Sequence, residues 1–415
     1  MQIQGIRKAL NIPEYKITKI ISWDKKEIHL QLEPYNRKAG ICSHCGLRHY
    51  QKHSDSKPVI VEDLSMAGLR LYLHVIKRKY ECKQDSRVHV EKVDWIKPWA
   101  RVTKRFAKQV SQLTAITTNT EAGWFLGLDD EVVYRIDKAA LEDQAKTKLE
   151  PIPAGIHLSV DEVSYRKYHR YMTNVIDTDR KLIIWNAKGR KSEILDKYYQ
   201  GIGPENCGKI ESVAMDGART FISSTTKYAI NALIVYDKFH LFQKLNNTVD
   251  TVRKIELQKA RSQKGSTALI DMLSCNQRFI LLKNKQNLSD KQSNLLAQLC
   301  DLNQPIYEAM LLKESFISIY APGNKDTDIE EYLLEWMIQA YYSQLQPFKE
   351  LATKLYEKLG YILNWFKQKV SSAISEGFNN KIKRLKRMAY GYKDIDYFRL
   401  KIHQHCGLLN PRFST

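Results

Sequence analysis

IHLSVDEVSY (Ile156–Tyr165), YMTNVIDTDRKLIIWNAKG (Tyr171–Gly189), KSEILDKYYQ (Lys191–Gln200), KIESVAMDG (Lys209–Gly217) and NALIVYD (Asn231–Asp237) decide the fold. Ile156, Leu158 and Val160 alternate, which predicts a half-buried strand running into Asp161. The second segment reads as two strands of a hairpin turning at Asp177 to Arg180. KSEILDKYYQ reads as a helix. KIESVAM is a further strand with Asp216 at its carboxyl end, and Gly217 opens a helix. NALIVY is a fifth strand ending at Asp237, and FHLFQKLNNTVDTVRKIELQKAR (Phe239–Arg261) begins a long helix. The order β-β-β-α-β-α-β-α predicts an α/β domain with an RNase H-like core. Groups at the carboxyl ends of strands in such a sheet point into a shared crevice.

That placement gives the acids a chemical meaning. Two-metal phosphodiester chemistry needs carboxylates that hold divalent ions about 3.5–4 Å apart. Asp161 and Asp216 end two strands that can be neighbours in this order. Asp237, at the end of the next strand, is a rival for the second position, with His240 beside it. Glu162 reads as a supporting or surface acid. Strand-end aspartates also serve as turn and helix caps, so the set carries more weight than any member.

A third acid comes from SSAISEGFNNKIKRLKRMAYGYKD (Ser371–Asp394), separated from Asp216 by a long intervening segment. At about 100° per residue Ile374, Phe378, Ile382, Leu385 and Ala389 share one side of a helix. Glu376, Asn380, Lys383 and Arg387 line the other. The cations Lys381, Lys383, Arg384, Lys386, Arg387, Lys393, Arg399 and Lys401 face only Asp394 and Asp396 along this stretch. A carboxylate at the head of a cationic stripe suits metal chemistry beside a phosphate backbone, with Asn380, Lys383, Arg384 and Arg387 as DNA contacts.

Upstream, residues 1–100 read as a β-rich module, with strands at ITKIISW (Ile17–Trp23), EIHLQLEP (Glu27–Pro34) and a long LRLYLHVIKRKYEC (Leu69–Cys82). CSHCG (Cys42–Gly46) has the x-x spacing of a zinc knuckle. Cys82 is the expected third ligand and His89 the fourth, with His44, His49 and His53 as rivals. In residues 101–150, TNTEAGWFLGLDDEVVYRIDKAALED (Thr118–Asp143) reads as two helices about a Gly127–Leu128 turn. The first carries Ala122, Phe125 and Leu126; the second, capped by Asp129, carries Val132, Val133, Ile136 and Ala140. This is a helix-turn-helix outline, with Arg135 and Lys138 as the cations of its second helix. PIPAG (Pro151–Gly155) reads as a linker. Residues 151–240 hold the first part of the core and 241–350 a helical insertion broken at Pro305 and around APGNKD (Ala321–Asp326). Residues 351–415 complete the core with the Glu376 helix.

Composition restricts the partners. The chain has 415 residues and a formal charge of +20, with a pI near 9.4, which favours capture of polyanions. Its 23 Tyr and 12 Phe, interleaved with cations, suit packing on sugars and bases. The amino terminus has no apolar signal core, and no run approaches the roughly 18 uninterrupted apolar residues of a membrane span. Seven cysteines, scattered except for one close pair, do not suit a disulfide framework. A cytoplasmic protein acting on the nucleoid through DNA is expected.

SVDEVSYRKYHRYMTNVID (Ser159–Asp177), VAMDGARTF (Val213–Phe221), ALIVYDKFHLFQKLNNTVDTVRK (Ala232–Lys254) and SEGFNNKIKRLKRMAYGYKDIDYFRLKI (Ser375–Ile402) resemble, in order, the blocks of the ISL-three family of insertion-sequence transposases. The resemblance spans nearly the whole chain. It implies a DDE transposase with an amino-terminal zinc ribbon and helix-turn-helix, and an acidic triad falling on Asp161, Asp216 and Glu376. The chain departs from that pattern in lacking a cysteine soon after Cys82. The implied activity is binding of terminal inverted repeats, followed by Mg²⁺- or Mn²⁺-dependent strand cleavage and strand transfer on double-stranded DNA. Zn²⁺ in the amino-terminal module and a homodimer that pairs two ends go with it. Two alternatives are a DNA-binding regulator without catalysis and an RNase H-like nuclease that cuts without joining.

Overall fold

The computed structural model describes all residues except 1–2, 13, 36–38, 99, 167–169, 264–266, 275–277, 325–327, 369–372 and 414–415. The chain forms two units, residues 1–146 and 147–414.

In the first unit the strands Tyr15–Trp23, Glu27–Pro34, Leu69–Val75 and Val59–Met66 form a sheet in that order. Strict alternation in Glu27–Pro34 turns Ile28, Leu30 and Leu32 inward, against Val61, Leu71, Leu73 and Val75. The single long strand expected over Leu69–Cys82 is instead two strands in two sheets. Leu69–Val75 stays in the four-stranded sheet, and Arg78–Glu81 joins Ser54–Asp55 and Val88–Val90. The break has a physical cause. Ile76 N–H donates to Leu32 O, the Lys77 carbonyl accepts from Ser56, and the Arg78 guanidinium pairs with buried Glu91 at 2.8 Å. These bonds bend the chain where the alternation alone would run straight on.

Helices Lys104–Thr114 and Asn119–Leu126 belong to the same unit, as does Asp130–Lys148 up to Lys146. Thr103 caps the first, and Thr118 with Glu121 forms a capping box on the second, satisfying amides the helix leaves free. Gly127 ends the second helix at φ 66°. Gly123 permits the close turn that follows, since a Cβ there would meet Leu128 O at 2.5 Å. Ala122 and Val133 pack with Phe106 and Val110, while Phe125 is exposed.

The second unit is built on a five-stranded sheet in the order Leu182–Lys188, Arg170–Asp177, His157–Arg166, Ser212–Met215, Leu233–Tyr236. The first three strands are antiparallel, and the last two run parallel to the central strand His157–Arg166. Helices Ser192–Gly208, Arg219–Tyr228 and Lys238–Ser262 follow the third, fourth and fifth strands in sequence. Alternation along the central strand separates two faces. Leu158 and Val160 pack with Leu195, Tyr198 and Ile202. Val163 and Tyr165 pack with Phe378, Ile382 and Leu385 of the helix Ala373–Met388 and with Phe398 and Ile402 of the helix Ile395–Cys406.

Between the long helix and Ala373–Met388 the described residues are mainly helical, around Phe316, Trp336 and Phe348. Pro305 sits in the first turn of Gln304–Ile319, where its missing N–H leaves nothing unsatisfied. Of the break expected over Ala321–Asp326, Lys325 and Asp326 lie outside the described residues. The insertion is tied to the long helix by buried Arg253, which bonds Asp250 and donates to Leu273 O at 2.6 Å. No helix among the described residues is long and apolar enough to cross a membrane.

Candidate active site

The last registered pair between the central strand and its parallel neighbour is Ser159–Ala214. Two residues further along each strand stand Asp161 and Asp216. On the next strand Met215 pairs with Tyr236, so Asp237 follows at the same level, one strand farther from Asp161. The central strand runs on to Arg166, so Asp161 lies inside it and not at its end as expected. Asp161, Asp216 and Asp237 stand level on three adjacent strands, where interstrand spacing is about 4.8 Å. Asp161 is 7% exposed. Its Oδ1 accepts from the Glu162 amide at 2.7 Å, and its Oδ2 from Asn379 Nδ2 at 2.6 Å. Asp216 Oδ1 accepts from Ala218 N at 2.8 Å. Asp237 is more buried and caps the long helix through Phe239 N at 2.8 Å.

Glu376 lies in the first turn of Ala373–Met388, partly exposed. The residues on either side of it fasten the helix over Asp161. Ser375 Oγ shares a buried 2.7 Å hydrogen bond with Ser159 Oγ, and Asn379, three residues on, reaches Asp161. Asn380, expected as a DNA contact, is exposed, as are Lys383, Arg384 and Arg387. The signal for Asn379 was its i+3 spacing from Glu376, which places it on the same side of the helix. Among the described residues the carboxylates of Asp161, Asp216 and Glu376 do not close to within 4.8 Å of one another.

The site is electrostatically coupled. Burial and the charges of Asp216 and Asp161 raise the Glu162 pKa, against the pull of Arg190, whose Nη1 is 3.9 Å from Glu162 Oε1. Burial would lower the His240 pKa, but Asp161, Asp237 and Asp216 outweigh it and raise it. His240 Nε2 stands 3.8 Å from Asp161 Oδ2, an electrostatic contact rather than a hydrogen bond. An all-oxygen set of this kind suits hard cations such as Mg²⁺ or Mn²⁺.

A second set of donors lies in the first unit. The sulfurs of Cys42, Cys45 and Cys82 gather within 4.8 Å of one another, a soft donor set that suits Zn²⁺. Two knuckles with matching backbones present them. Gly46 N donates to Cys42 O and Cys42 N to Leu47 O; Ser86 N donates to Cys82 O and Cys82 N to Arg87 O. Gly46 and Ser86 both have positive φ, 71° and 55°. Asp85 therefore occupies the position that Cys45 holds in the first knuckle. Burial would raise the Cys42 pKa, but the amides of Cys45 and His44 and the neighbouring thiols pull it down, towards the thiolate that binds metal.

The histidines distribute around this cluster. His49 is buried with Nε2 3.4 Å from Cys45 Sγ, and His44 Nδ1 lies 3.6 Å from Cys82 Sγ. His89 instead bonds Asp85 at 2.8 Å and stacks on His44 with ring centroids 4.7 Å apart. That bond to His89, with help from the Arg87 amide and His44, holds the Asp85 pKa down at about 2. His53 is exposed beside Ser54. On the helix Asp130–Lys148, Arg135 is exposed and Lys138 lies 4.0 Å from Glu142.

Residues 158–402 match the ISL3-type DDE model described as "Transposase". Residues 38–85 match the model for the "zinc-finger of transposase IS204/IS1001/IS1096/IS1165". The chain is similar to the transposase for insertion sequence element IS1001 of Bordetella parapertussis, 30% identical over 379 residues, covering 91% of each chain. It is also similar to the transposase for insertion sequence element IS1557 of Mycobacterium tuberculosis, 22% identical over 407 residues, covering 94% of this chain and 90% of the relative. The chain belongs to the ISL3 family of DDE transposases.

Proposed function

We propose that Asp161, Asp216 and Glu376 form the catalytic triad of this transposase on an RNase H-like core, and that it cuts and joins DNA at the ends of its insertion sequence. The observation that carries this reading is the adjacency of Asp161 and Asp216 on neighbouring parallel strands, with the Glu376 helix bonded to Asp161 through Asn379. Mg²⁺ or Mn²⁺ held by these acids would polarise the phosphate and lower the pKa of an attacking water. In the first step water attacks a phosphodiester at the end of the insertion sequence, and the P–O bond breaks to free a 3′-hydroxyl. In the second, that 3′-hydroxyl attacks a target phosphodiester and displaces another 3′-hydroxyl.

The chain's own residues orient and neutralise. Asn379 fixes the Asp161 carboxylate, and His240, whose pKa the acids raise, stands beside it at 3.8 Å. The exposed Lys383, Arg384 and Arg387, with Asn380, contact the backbone near the scissile bond. Each phosphate neutralised contributes about 0.9 to the log–log salt slope of duplex binding. The ribbon, with Cys42, Cys45 and Cys82 on Zn²⁺, and a helix-turn-helix carrying Arg135 and Lys138 recognise the inverted repeats. Two ends must meet for the reaction, which calls for a homodimer.

Asp216 rather than Asp237 is the second acid, because it stands on the strand next to Asp161 and its field, together with burial, raises Glu162. Cleavage of an inverted-repeat duplex in Mg²⁺ tests the assignment. Asp216→Asn is expected to lower the rate roughly 10³-fold, since a lost metal ligand forfeits several kcal/mol in the transition state. Asp237→Asn removes mainly a helix cap, about 1 kcal/mol of stability, and should keep most of the rate. The reverse ranking would transfer the role to Asp237.

A further inference from the structure

A cavity of about 650 Å³ lies between the long helix Lys238–Ser262 and the helix Gln346–Tyr356. Its wall carries Arg219, Lys244, Lys354 and Lys358 against Glu350 and Glu357, a surplus of cations. It begins at the backbone of the second acid. Lys358 Nζ donates to Gly217 O at 2.8 Å, and Lys244 Nζ lies 3.5 Å from Asp216 O while donating to the Tyr236 hydroxyl. The two ammoniums stand over the buried Tyr236 ring, 5.0 and 5.4 Å from its centroid. Lys354 has only a loose contact with Glu350, at 3.9 Å, and a side chain 73% exposed.

These lysines crowd one another. Cations held together with too few counter-charges form a site that gains from an anion. The position identifies which one. The Glu376 helix, with Lys383, Arg384 and Arg387, packs on the antiparallel half of the sheet, whereas the cavity opens beyond the parallel half, where Asp216 ends its strand. A strand whose scissile phosphate sits between Asp161 and Asp216 has a backbone on both sides of that phosphate. The Glu376 helix serves one side.

We propose that this cavity is a second backbone track, in which Lys244, Lys354 and Lys358 hold DNA phosphates on the side of the scissile bond away from the Glu376 helix. The inference rests on the reading that the three acids act on DNA. Its ligand is the phosphodiester backbone, supplied either by the insertion-sequence end or by the DNA that flanks the cut.

The test uses the full chain with Lys244→Gln and Lys354→Gln, singly and combined, and Lys354→Arg as the conservative control. Binding is measured against salt on an inverted-repeat duplex with flanking DNA, then on duplexes trimmed on either side of the cut. On the full duplex the double variant should lower the log–log salt slope by about 0.9 for each phosphate no longer neutralised, and Lys354→Arg should match wild type. The defect should vanish on the trimmed duplex that lacks the segment in the cavity and persist on the other, which identifies the source. An unchanged slope on the full duplex, or a defect that persists on both trimmed duplexes, overturns the track. A wild-type chain that binds the duplex yet never cuts it in Mg²⁺ contradicts the catalytic reading instead.

Discussion

Asp161→Asn is expected to abolish cleavage of the insertion-sequence end, by roughly 10³-fold or more, while affinity for the same DNA stays within about twofold. The substitution is nearly isosteric at a site 7% exposed, so the fold should persist. An amide oxygen still accepts from the Glu162 amide, as Asp161 Oδ1 does. What disappears is the negative charge at one end of the acidic row. Several kcal/mol of transition-state stabilisation depend on metal held there, and each step of about 1.4 kcal/mol is tenfold in rate. The exposed cations proposed to contact the backbone are untouched, so binding should survive. Parallel cleavage and anisotropy titrations in Mg²⁺ check both halves. Cleavage at the wild-type rate would remove Asp161 from the triad.

Cys82→Ser is expected to release zinc and unfold the ribbon while the adjoining sheet stays folded. The ribbon has little core of its own. Its strands Gly40–Ile41, Arg48–His49, Ser54–Asp55, Arg78–Glu81 and Val88–Val90 are two to four residues long. Few apolar side chains lie among them beyond Tyr80. Modules of this kind draw their folding free energy from the metal, with apparent values of about 10–16 kcal/mol for zinc-finger peptides. The four-stranded sheet instead buries Ile28, Leu30, Leu32, Val61, Leu71 and Leu73, at about 1.5–3 kcal/mol per side chain, and does not depend on the thiols. Metal analysis should find one zinc per wild-type chain and none in the variant. Limited proteolysis should then open sites in residues 40–56 and spare residues 27–34. Equal protection with and without metal would mean that the thiols are not structural ligands.

Much of this architecture was legible in the sequence because its signals are local. Strand alternation put Asp216 and Asp237 at strand ends, as found, but stopped the central strand at Asp161 where the hairpin pairing carries it on to Arg166. The apolar stripe Phe378–Ile382–Leu385 correctly located the buried face of the Glu376 helix. Other features depend on distant partners. The bend after Val75 is set by Ser56 and Glu91, while the alternation in Leu69–Cys82 continues through it. Asn379 and Asn380 differ by about 100° around the helix, and only the position of Ser159 and Asp161 beneath it decides which one makes contact. The arrangement of His44, His49, His89 and Asp85 around three thiols requires the two knuckles to face each other. The lysine cavity joins a helix that begins at Lys238 to one that begins at Gln346, and no periodicity within either helix announces the other.

If the three acids act as proposed, this chain joins DNA as well as cutting it. The most direct measurement incubates the purified full-length protein with a pre-cut inverted-repeat duplex bearing a free 3′-hydroxyl, a supercoiled target plasmid and Mg²⁺. Covalent joining of that 3′ end to plasmid DNA is expected, absent with EDTA and absent when the 3′ end is a dideoxynucleotide. Metal-dependent nicking of the same DNA with no joined product, under conditions where the duplex is bound, would contradict it.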